Sequence, residues 1–299
     1  MARLIALLAA FAALALQPLR ATDAPPATPP ALPAVYVLGD STAANNNSPT
    51  IQGWGTPFIT YFDPSKITVV NAALGGRSSR TFLAEARYAA VIAKLNPGDL
   101  VLLQFGHNDV FAINDATRAR GTLHGIGEGT EEIDNQLTKQ HEIVHTFGWY
   151  LRKMIADIRA KGARPIILTL TIRDHWNADG TIERLPVPNL DLSDSNRFSA
   201  PPMWSIWSAE VARAAHLPLL DVHNMIADRY DNEGREIVGS YYNNPGDPTH
   251  RNPKGAAVDA EIALACLKTL KGPDFDAFLS GKGKAVAPAD PKYVFPNQP

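Results

Sequence analysis

The sequence is poor in cysteine and has no marked excess of charge of either sign. Cys266 is the one cysteine among 299 residues, so an internal disulfide is excluded and stability must come from the core. Lysine and arginine total 28 against 30 aspartate and glutamate, and no stretch is rich in basic residues. The lack of a basic stripe argues against a nucleic-acid-binding protein, and the 45% hydrophobic content is typical of a globular one.

One apolar run is long, and it lies near the start of the chain. Residues 4–16 are 13 consecutive apolar residues after Arg3, whereas a helix needs about 20 to cross the ~30 Å core of a bilayer. This pattern is typical of a secretory signal peptide, expected here over residues 1–21, and residues 22–33 read as a proline-rich linker. We therefore expect a secreted or periplasmic protein without membrane association after cleavage. A buried N-terminal helix is the alternative.

From residue 34 onward, short β-branched runs alternate with longer helical patterns. Strands are expected at residues 34–38, 67–71, 100–105, 165–170 and 217–222. Helices are expected at residues 81–95, 144–161, 203–216 and 253–270. The strands are almost continuously apolar, as in parallel sheets covered on both faces. The alternation predicts a three-layer, flavodoxin-like α/β domain over residues 34–271 with a parallel five-stranded sheet.

Two long connections and the C-terminal segment lack clear periodicity. Residues 110–140 and 173–197 are long for loops of a compact domain, and such insertions are usually functional. Residues 272–299 contain several prolines and glycines, and we expect them to form a loosely attached tail.

Polar motifs follow three of the expected strands where each strand ends. Gly-Asp-Ser at residues 39–41 follows the first, paired glycines at residues 75–76 follow the second, and Asn108 comes shortly after the third. Taken singly, each is also an ordinary turn. Since ligands bind at the carboxyl edge of a parallel sheet, we expect the three motifs to meet there. Glycine lets a backbone approach a ligand closely, and asparagine offers a neutral donor to an oxyanion.

A fourth motif, Asp-Pro-Thr-His at residues 247–250, precedes the last expected helix. An aspartate and a histidine three residues apart on one loop can hold the carboxylate against the imidazole Nδ1. The Nε2 atom is then free to act as a general base. An isolated Asp-x-x-His pattern is uninformative, but here it occurs with three other motifs that point to the same edge of the sheet.

With these motifs the chain resembles the SGNH (GDSL-type) hydrolase superfamily. The resemblance implies that Ser41 is the nucleophile, His250 the base and Asp247 its partner. It also implies an oxyanion hole formed by Ser41, Gly76 and Asn108. A Gly-x-Ser-x-Gly elbow, the mark of α/β-hydrolases, does not occur in the sequence.

Within this superfamily the chain most resembles the bacterial rhamnogalacturonan acetylesterases of carbohydrate esterase family 12. The likeness rests on residues 53–55, 75–80, 104–109, 146–151 and 247–255. It implies a secreted serine esterase that removes acetyl groups from a plant cell-wall polysaccharide, most of all rhamnogalacturonan or pectin. The implied acyl-enzyme reaction needs no metal and no other cofactor.

Four residues are candidates for contact with an acidic polysaccharide. Arg77, Arg80 and Arg173 lie next to expected strand ends, where a guanidinium group can bind a carboxylate in bidentate fashion. A structural ion pair is the alternative for each of them. Trp54 lies in an expected loop and is a candidate for stacking on a sugar ring.

Three other functions fit parts of the pattern. A lipolytic esterase or thioesterase on the same scaffold is one, although the long loops are polar rather than apolar. A metal-dependent phosphoesterase using His107, Asp109, Asp247 and His250 is another, but it leaves Ser41 without a role. The third is a non-catalytic carbohydrate-binding relative, which would not need a nucleophile.

Overall fold

The computed structural model describes residues 32–46, 48–184, 202–243, 245–270 and 275–295. The expected signal peptide and most of the expected linker lie outside the described residues. The strands are β1 Ala34–Gly39, β2 Thr68–Asn71, β3 Leu100–Gln104, β4 Thr130–Asp134, β5 His141–His145, β6 Arg164–Leu168, β7 Leu219–Leu220 and β8 Val294–Phe295. The helices are α1 Gly55–Ile59, α2 Ser79–Leu83, α3 Ala86–Lys94, α4 Phe147–Ala160, α5 Pro202–Ala214, α6 Val222–Glu233, α7 Arg235–Gly239, α8 Pro253–Thr269 and α9 Gly281–Ala285.

Within the described residues, the main sheet has six strands in the order β2-β1-β3-β6-β7-β8. The first five are parallel and correspond to the five expected strands, while β8 runs antiparallel to β7. The predicted α/β class is therefore confirmed, but the predicted strand number is wrong by one. The sixth strand was missed because two residues are too short to produce a periodic pattern.

The C-terminal segment packs against the domain and is not loosely attached. Phe275 and Leu279 are buried in a core cluster, as are Tyr293 and Val294. The backbone N–H of Asp221 donates to the Tyr293 carbonyl at 2.8 Å. These apolar residues are spread among prolines, glycines and charged residues, so sequence periodicity did not reveal that the segment is buried.

A two-stranded antiparallel sheet, β4 paired with β5, interrupts one of the expected loops and one of the expected helices. Residues 110–140 were expected to be a loop, yet they contain β4. The helix expected over residues 144–161 starts at Phe147, because Thr146 caps α4 by accepting from the Trp149 N–H at 3.2 Å. The helix expected over residues 81–95 is split into α2 and α3.

Side chains of the central strands alternate between two apolar clusters. On β1, Val35 and Val37 face the cluster that includes α1, α6 and α8. Tyr36 and Leu38 face the cluster that includes α3, α4 and α5. The sheet is therefore covered on both faces, as expected for strands that are apolar along their whole length. Among the helices of the described part of the chain, none is both long and apolar enough to cross a membrane.

Candidate active site

Ser41 lies in a tight turn at the carboxyl end of β1, and the turn is stabilised by Asp40. The Asp40 side chain accepts from the Thr42 N–H at 2.9 Å and from the Thr42 hydroxyl at 2.8 Å. Gly39 is needed just before the turn, because a Cβ there would lie 2.8 Å from the Gln104 carbonyl oxygen of β3. The turn thus fixes a half-buried serine at the sheet edge beside the end of β3.

Ser41, His250 and Asp247 form one chain of hydrogen bonds. Ser41 Oγ lies 2.8 Å from His250 Nε2, and His250 Nδ1 lies 2.7 Å from Asp247 Oδ2. The other Asp247 oxygen accepts from the N–H of Thr249 at 3.0 Å and of His250 at 3.1 Å. Burial raises the pKa of Asp247, but hydrogen bonds from His250 and Thr249 outweigh it and hold the pKa below its ordinary value. An ionised carboxylate therefore orients the imidazole toward the serine.

A buried ion pair fixes the loop that carries His250. Arg251 Nε lies 2.8 Å from Asp259 Oδ2, and both side chains are almost fully buried. Arg251 Nη1 also donates to the Thr249 carbonyl at 3.0 Å. Asn252 caps α8, which begins directly after this loop. The sequence reading missed Arg251 and Asp259, although an aspartate within the apolar stretch of the last helix was a signal for a buried partner.

The other two motifs lie beside the serine. A Cβ on Gly75 would lie 3.8 Å from the Ser41 Cβ, and Gly76 has a φ of +75°, a conformation that favours glycine. The Asn108 side chain donates to the Arg77 carbonyl at 3.0 Å, which ties it to the same turn. No residue in the described ranges accepts a hydrogen bond from the backbone N–H of Ser41 or Gly76. The structure thus brings all four motifs together, with two backbone donors left available to an anion.

His107 and Asp109, the further ligands of the metal alternative, are engaged elsewhere. His107 Nε2 lies 3.2 Å from Thr171 Oγ1, and burial holds the pKa of this imidazole well below its ordinary value. Asp109 accepts from the Ser79 hydroxyl at 2.5 Å, and burial raises the pKa of its carboxyl to about 7. Among the described residues, no three His, Cys, Asp or Glu side chains are grouped to hold a metal ion.

Arg80 forms a structural ion pair, the alternative to substrate contact that the sequence left open. Its side chain is 3% exposed and pairs with Glu142, with Nε 2.6 Å from Oε1. Its Nη1 donates to the carbonyls of Ile113 at 2.8 Å and Gly121 at 2.9 Å. Arg80 is therefore a structural residue that joins β5 to both ends of the loop between residues 113 and 121.

The other two candidate arginines differ from each other. Arg77 is partly exposed and pairs with Glu85 at 2.5 Å, so a carboxylate of the chain already neutralises it. Arg173 is half-buried, and no described carboxylate lies within ion-pair distance of its guanidinium group. Burial lowers the pKa of Arg173, whereas the nearby Asp247 and Asp40 raise it. Arg173 thus remains a candidate for substrate contact next to the Asp247–His250 pair.

Trp54 is a core residue, and the expectation that it stacks on sugar is wrong. Its side chain is 1% exposed, and its ring packs edge-on against Phe58 with the centroids 5.4 Å apart. The indole N–H donates to Gln104 Oε1 at 2.7 Å, a partner that a buried tryptophan requires. The flanking glycines suggested a loop, but they let the backbone of residues 53–55 pack against the turn that carries Ser41.

An open cavity of about 530 Å³ adjoins the carboxylate end of the hydrogen-bonded chain. Its lining is mainly polar and includes Asp174, His175, Tyr242, Asn243, Asp247 and Pro248. Arg173 directly precedes the lining residue Asp174 in the chain.

Comparisons with known proteins agree on one family. Residues 37–258 match the GDSL-like lipase/acylhydrolase family. A rhamnogalacturonan acetylesterase of Emericella nidulans is 30% identical over 78% of this chain and 84% of its own length. A rhamnogalacturonan acetylesterase of Bacillus subtilis is 26% identical over 84% of this chain and 96% of its own. A crystal structure of another Bacillus subtilis protein matches 80% of this chain at 26% identity with a TM-score of 0.58; this chain spans only 56% of that protein.

The environments of Arg80 and Arg77 predict different effects of the same substitution. Arg80→Met leaves Glu142 and two carbonyls without their buried partner, so we expect the free energy of unfolding to fall by about 3 kcal/mol. Arg77→Met removes a partly exposed ion pair and should lower it by less than about 1 kcal/mol. Urea unfolding monitored by tryptophan fluorescence measures both values. Equal losses in the two variants would contradict the structural role of Arg80.

Proposed function

The chain belongs to the GDSL-like lipase/acylhydrolase family and is a carboxylic ester hydrolase; we propose that it is an exported serine esterase that removes acetyl groups from a pectic polysaccharide. The observation that carries the proposal is the hydrogen-bonded chain of Ser41, His250 and Asp247. The names of the curated relatives support rhamnogalacturonan as the substrate.

In the first half of the proposed reaction, Ser41 Oγ attacks the acetyl carbonyl while His250 Nε2 takes its proton. Asp247 stabilises the imidazolium that forms, and its lowered pKa keeps it ionised for this task. The N–H groups of Ser41 and Gly76 and the Asn108 side chain hold the oxyanion. When the intermediate collapses, His250 protonates the departing sugar hydroxyl, and the acetyl group stays on Ser41.

In the second half, water attacks the acetyl-enzyme and His250 again takes the proton. The tetrahedral intermediate forms at the same donors, then collapses to acetate and free Ser41, to which His250 returns the proton. The hydrogen bond that His250 Nδ1–H donates to Asp247 keeps the imidazole in one tautomer through both halves. The reaction as proposed uses no metal ion and no other cofactor.

Two features near this chain of residues support an acidic sugar polymer as the substrate. Arg173 has no carboxylate partner among the described residues and lies in the field of Asp247. The adjoining cavity of about 530 Å³ is lined by polar groups suited to sugar hydroxyls. A pectic backbone carries carboxylates, which arginine binds better than neutral groups.

Removing the proposed nucleophile tests the mechanism. We expect Ser41→Ala to lower acetate release from 4-nitrophenyl acetate and from acetylated pectic oligosaccharides by about 10⁴-fold or more. Ser65→Ala, an exposed serine in another turn, is the matched control and should retain the wild-type rate. EDTA should leave the wild-type rate unchanged.

Each contrary outcome points to a different alternative. Full activity of Ser41→Ala, or loss of wild-type activity in EDTA, would favour the metal-dependent alternative. Cleavage of long-chain esters without cleavage of sugar acetates would favour a lipolytic enzyme or thioesterase. Binding of the oligosaccharide without any hydrolysis would favour the non-catalytic relative.

Two substitutions of Asn108 test the oxyanion site. Asn108→Ala removes one donor and should lower kcat by about 10²–10³-fold with a smaller change in KM. Asn108→Asp keeps the shape but replaces the donor with an anionic acceptor, so we expect a loss at least as large. Steady-state kinetics on 4-nitrophenyl acetate give both parameters, and thermal unfolding verifies that the variants are folded. Wild-type kcat in the aspartate variant would remove Asn108 from the mechanism.

We further propose export, on the basis of the apolar run at residues 4–16. The chain expressed with residues 1–21 should appear in the periplasm or medium of a bacterial host with its new N-terminus near residue 22. Intact-protein mass spectrometry of that fraction locates the terminus. Retention in the cytoplasm with residues 1–21 intact would contradict the signal peptide.

A further inference from the structure

Arg120 is a buried cation beside the turn that carries the proposed oxyanion donors. Its side chain is 7% exposed, and its Nη1 donates to the Gly76 carbonyl at 3.0 Å. The guanidinium carbon lies 4.2 Å from the ring centroid of Phe111, which is itself 44% exposed. A Cβ on Gly76 would lie 3.5 Å from Arg120 Nη1, and one on the preceding Gly75 would lie 3.8 Å from the Ser41 Cβ, so Arg120 and Ser41 flank the same pair of glycines.

The positive charge of Arg120 has no counter-charge in the described part of the chain. No described Asp or Glu oxygen lies within ion-pair distance, and Nε is buried without an acceptor. Two further arginines are deeply buried among the described residues, and each is paired: Arg80 with Glu142, and Arg251 with Asp259. Burial of an unpaired charge is costly, so an unpaired guanidinium group at this position calls for a ligand.

The loop that carries Arg120 is held in place by groups of the chain itself, without a bound ligand. Arg80 binds the carbonyls at both of its ends, Ile113 and Gly121. The Asp115 carboxylate accepts from the N–H groups of three successive residues, 117 to 119. Gly121 cannot be replaced, because a Cβ there would lie 1.8 Å from the Phe111 carbonyl oxygen. The guanidinium group is therefore preorganised, as a binding group should be.

We propose that the missing counter-charge is a carboxylate of the substrate, so that Arg120 selects esters carried on or next to a uronic acid residue. Nη1 is committed to Gly76, and no described residue accepts from Nε or Nη2. Nε is fully buried, so Nη2 is the donor that a substrate carboxylate reaches, through a charge-assisted hydrogen bond. This inference rests on the proposed esterase function and names the group that its substrate must carry.

The burial of Arg120 is consistent with a positive charge that is neutralised only when a substrate carboxylate binds. Burial lowers the pKa of Arg120 and Arg118 lowers it further, while the more distant Asp40, Asp109 and Asp115 raise it. An incoming carboxylate adds the contact that these three acidic groups do not make. Because the carboxylate is bound in both the ground state and the transition state, the contribution of Arg120 should appear mainly in KM.

The test compares two substrates that differ in the carboxylate alone. One is an acetylated rhamnogalacturonan oligosaccharide; the other is the same oligosaccharide with its carboxylates converted to neutral carboxamides by carbodiimide coupling with ammonia at mildly acidic pH, which leaves the acetyl groups in place. We expect Arg120→Met to lower the wild-type preference for the acidic substrate, measured as the ratio of the two kcat/KM values, by about tenfold or more, mainly through KM. Arg118→Met, an exposed arginine of the same loop, is the matched control and should keep the wild-type ratio.

Two outcomes would overturn the inference. Arg120→Met could lower kcat/KM by the same factor for both substrates, which would indicate a purely structural role. Alternatively, kcat/KM could stay at its wild-type value for both substrates, which would leave Arg120 without a role in binding. If the wild-type enzyme cleaves neither oligosaccharide, the result contradicts the proposed function instead, and it is obtained before any variant is made.

A second measurement keeps the inference testable if Arg120→Met fails to fold. De-esterified rhamnogalacturonan oligosaccharides should inhibit hydrolysis of 4-nitrophenyl acetate by the wild-type enzyme, and carboxyl-reduced ones should inhibit about tenfold more weakly. Arg120→Lys, which keeps the charge but not a donor at the position of Nη2, should weaken inhibition by the acidic oligosaccharide. Equal inhibition by the two oligosaccharides would overturn the proposal.

Discussion

The pairing register between β1 and β3 is the constraint on which the rest of the site depends. Gly39 lies opposite Gln104, so both strands end at the same level of the sheet. The Gln104 side chain joins β3 to two other segments. Its Oε1 accepts from the Trp54 indole N–H, and its Nε2 donates to the Thr169 carbonyl at 2.8 Å. A shift of one residue would reverse every side chain of β1 and separate Ser41 from the loop that carries Asn108.

The parts of the fold that sequence predicted are those with strong local signals. Strands covered on both faces must be apolar throughout, which made β1 and β3 visible from composition alone. The site motifs could be placed because each directly follows or precedes such an element, and parallel strands deliver their carboxyl ends to one edge. The proximity of Ser41 and His250 could therefore be predicted from the sequence. Their distance of 2.8 Å could not.

The features that sequence missed depend on partners far along the chain. Arg80 and Glu142 are 62 residues apart, and nothing near either residue indicates that they pair. Arg80 and Arg120 look alike in sequence, yet one has a carboxylate of its own chain and the other has none. Trp54 similarly looked like a loop residue until packing placed it in the core. The distinction between a structural and a ligand-binding side chain is a property of the tertiary fold.

The hydrogen bond between Ser41 and His250 joins residues that are 209 positions apart in the chain. A ribosome adding about 5–20 residues per second needs on the order of 10–40 s to make the intervening segment. During that time the serine has already left the ribosome while its partner has not yet been made. Under the proposed mechanism, a nascent chain therefore carries an unactivated hydroxyl, and catalytic competence arises only when His250 has been made and has reached Ser41.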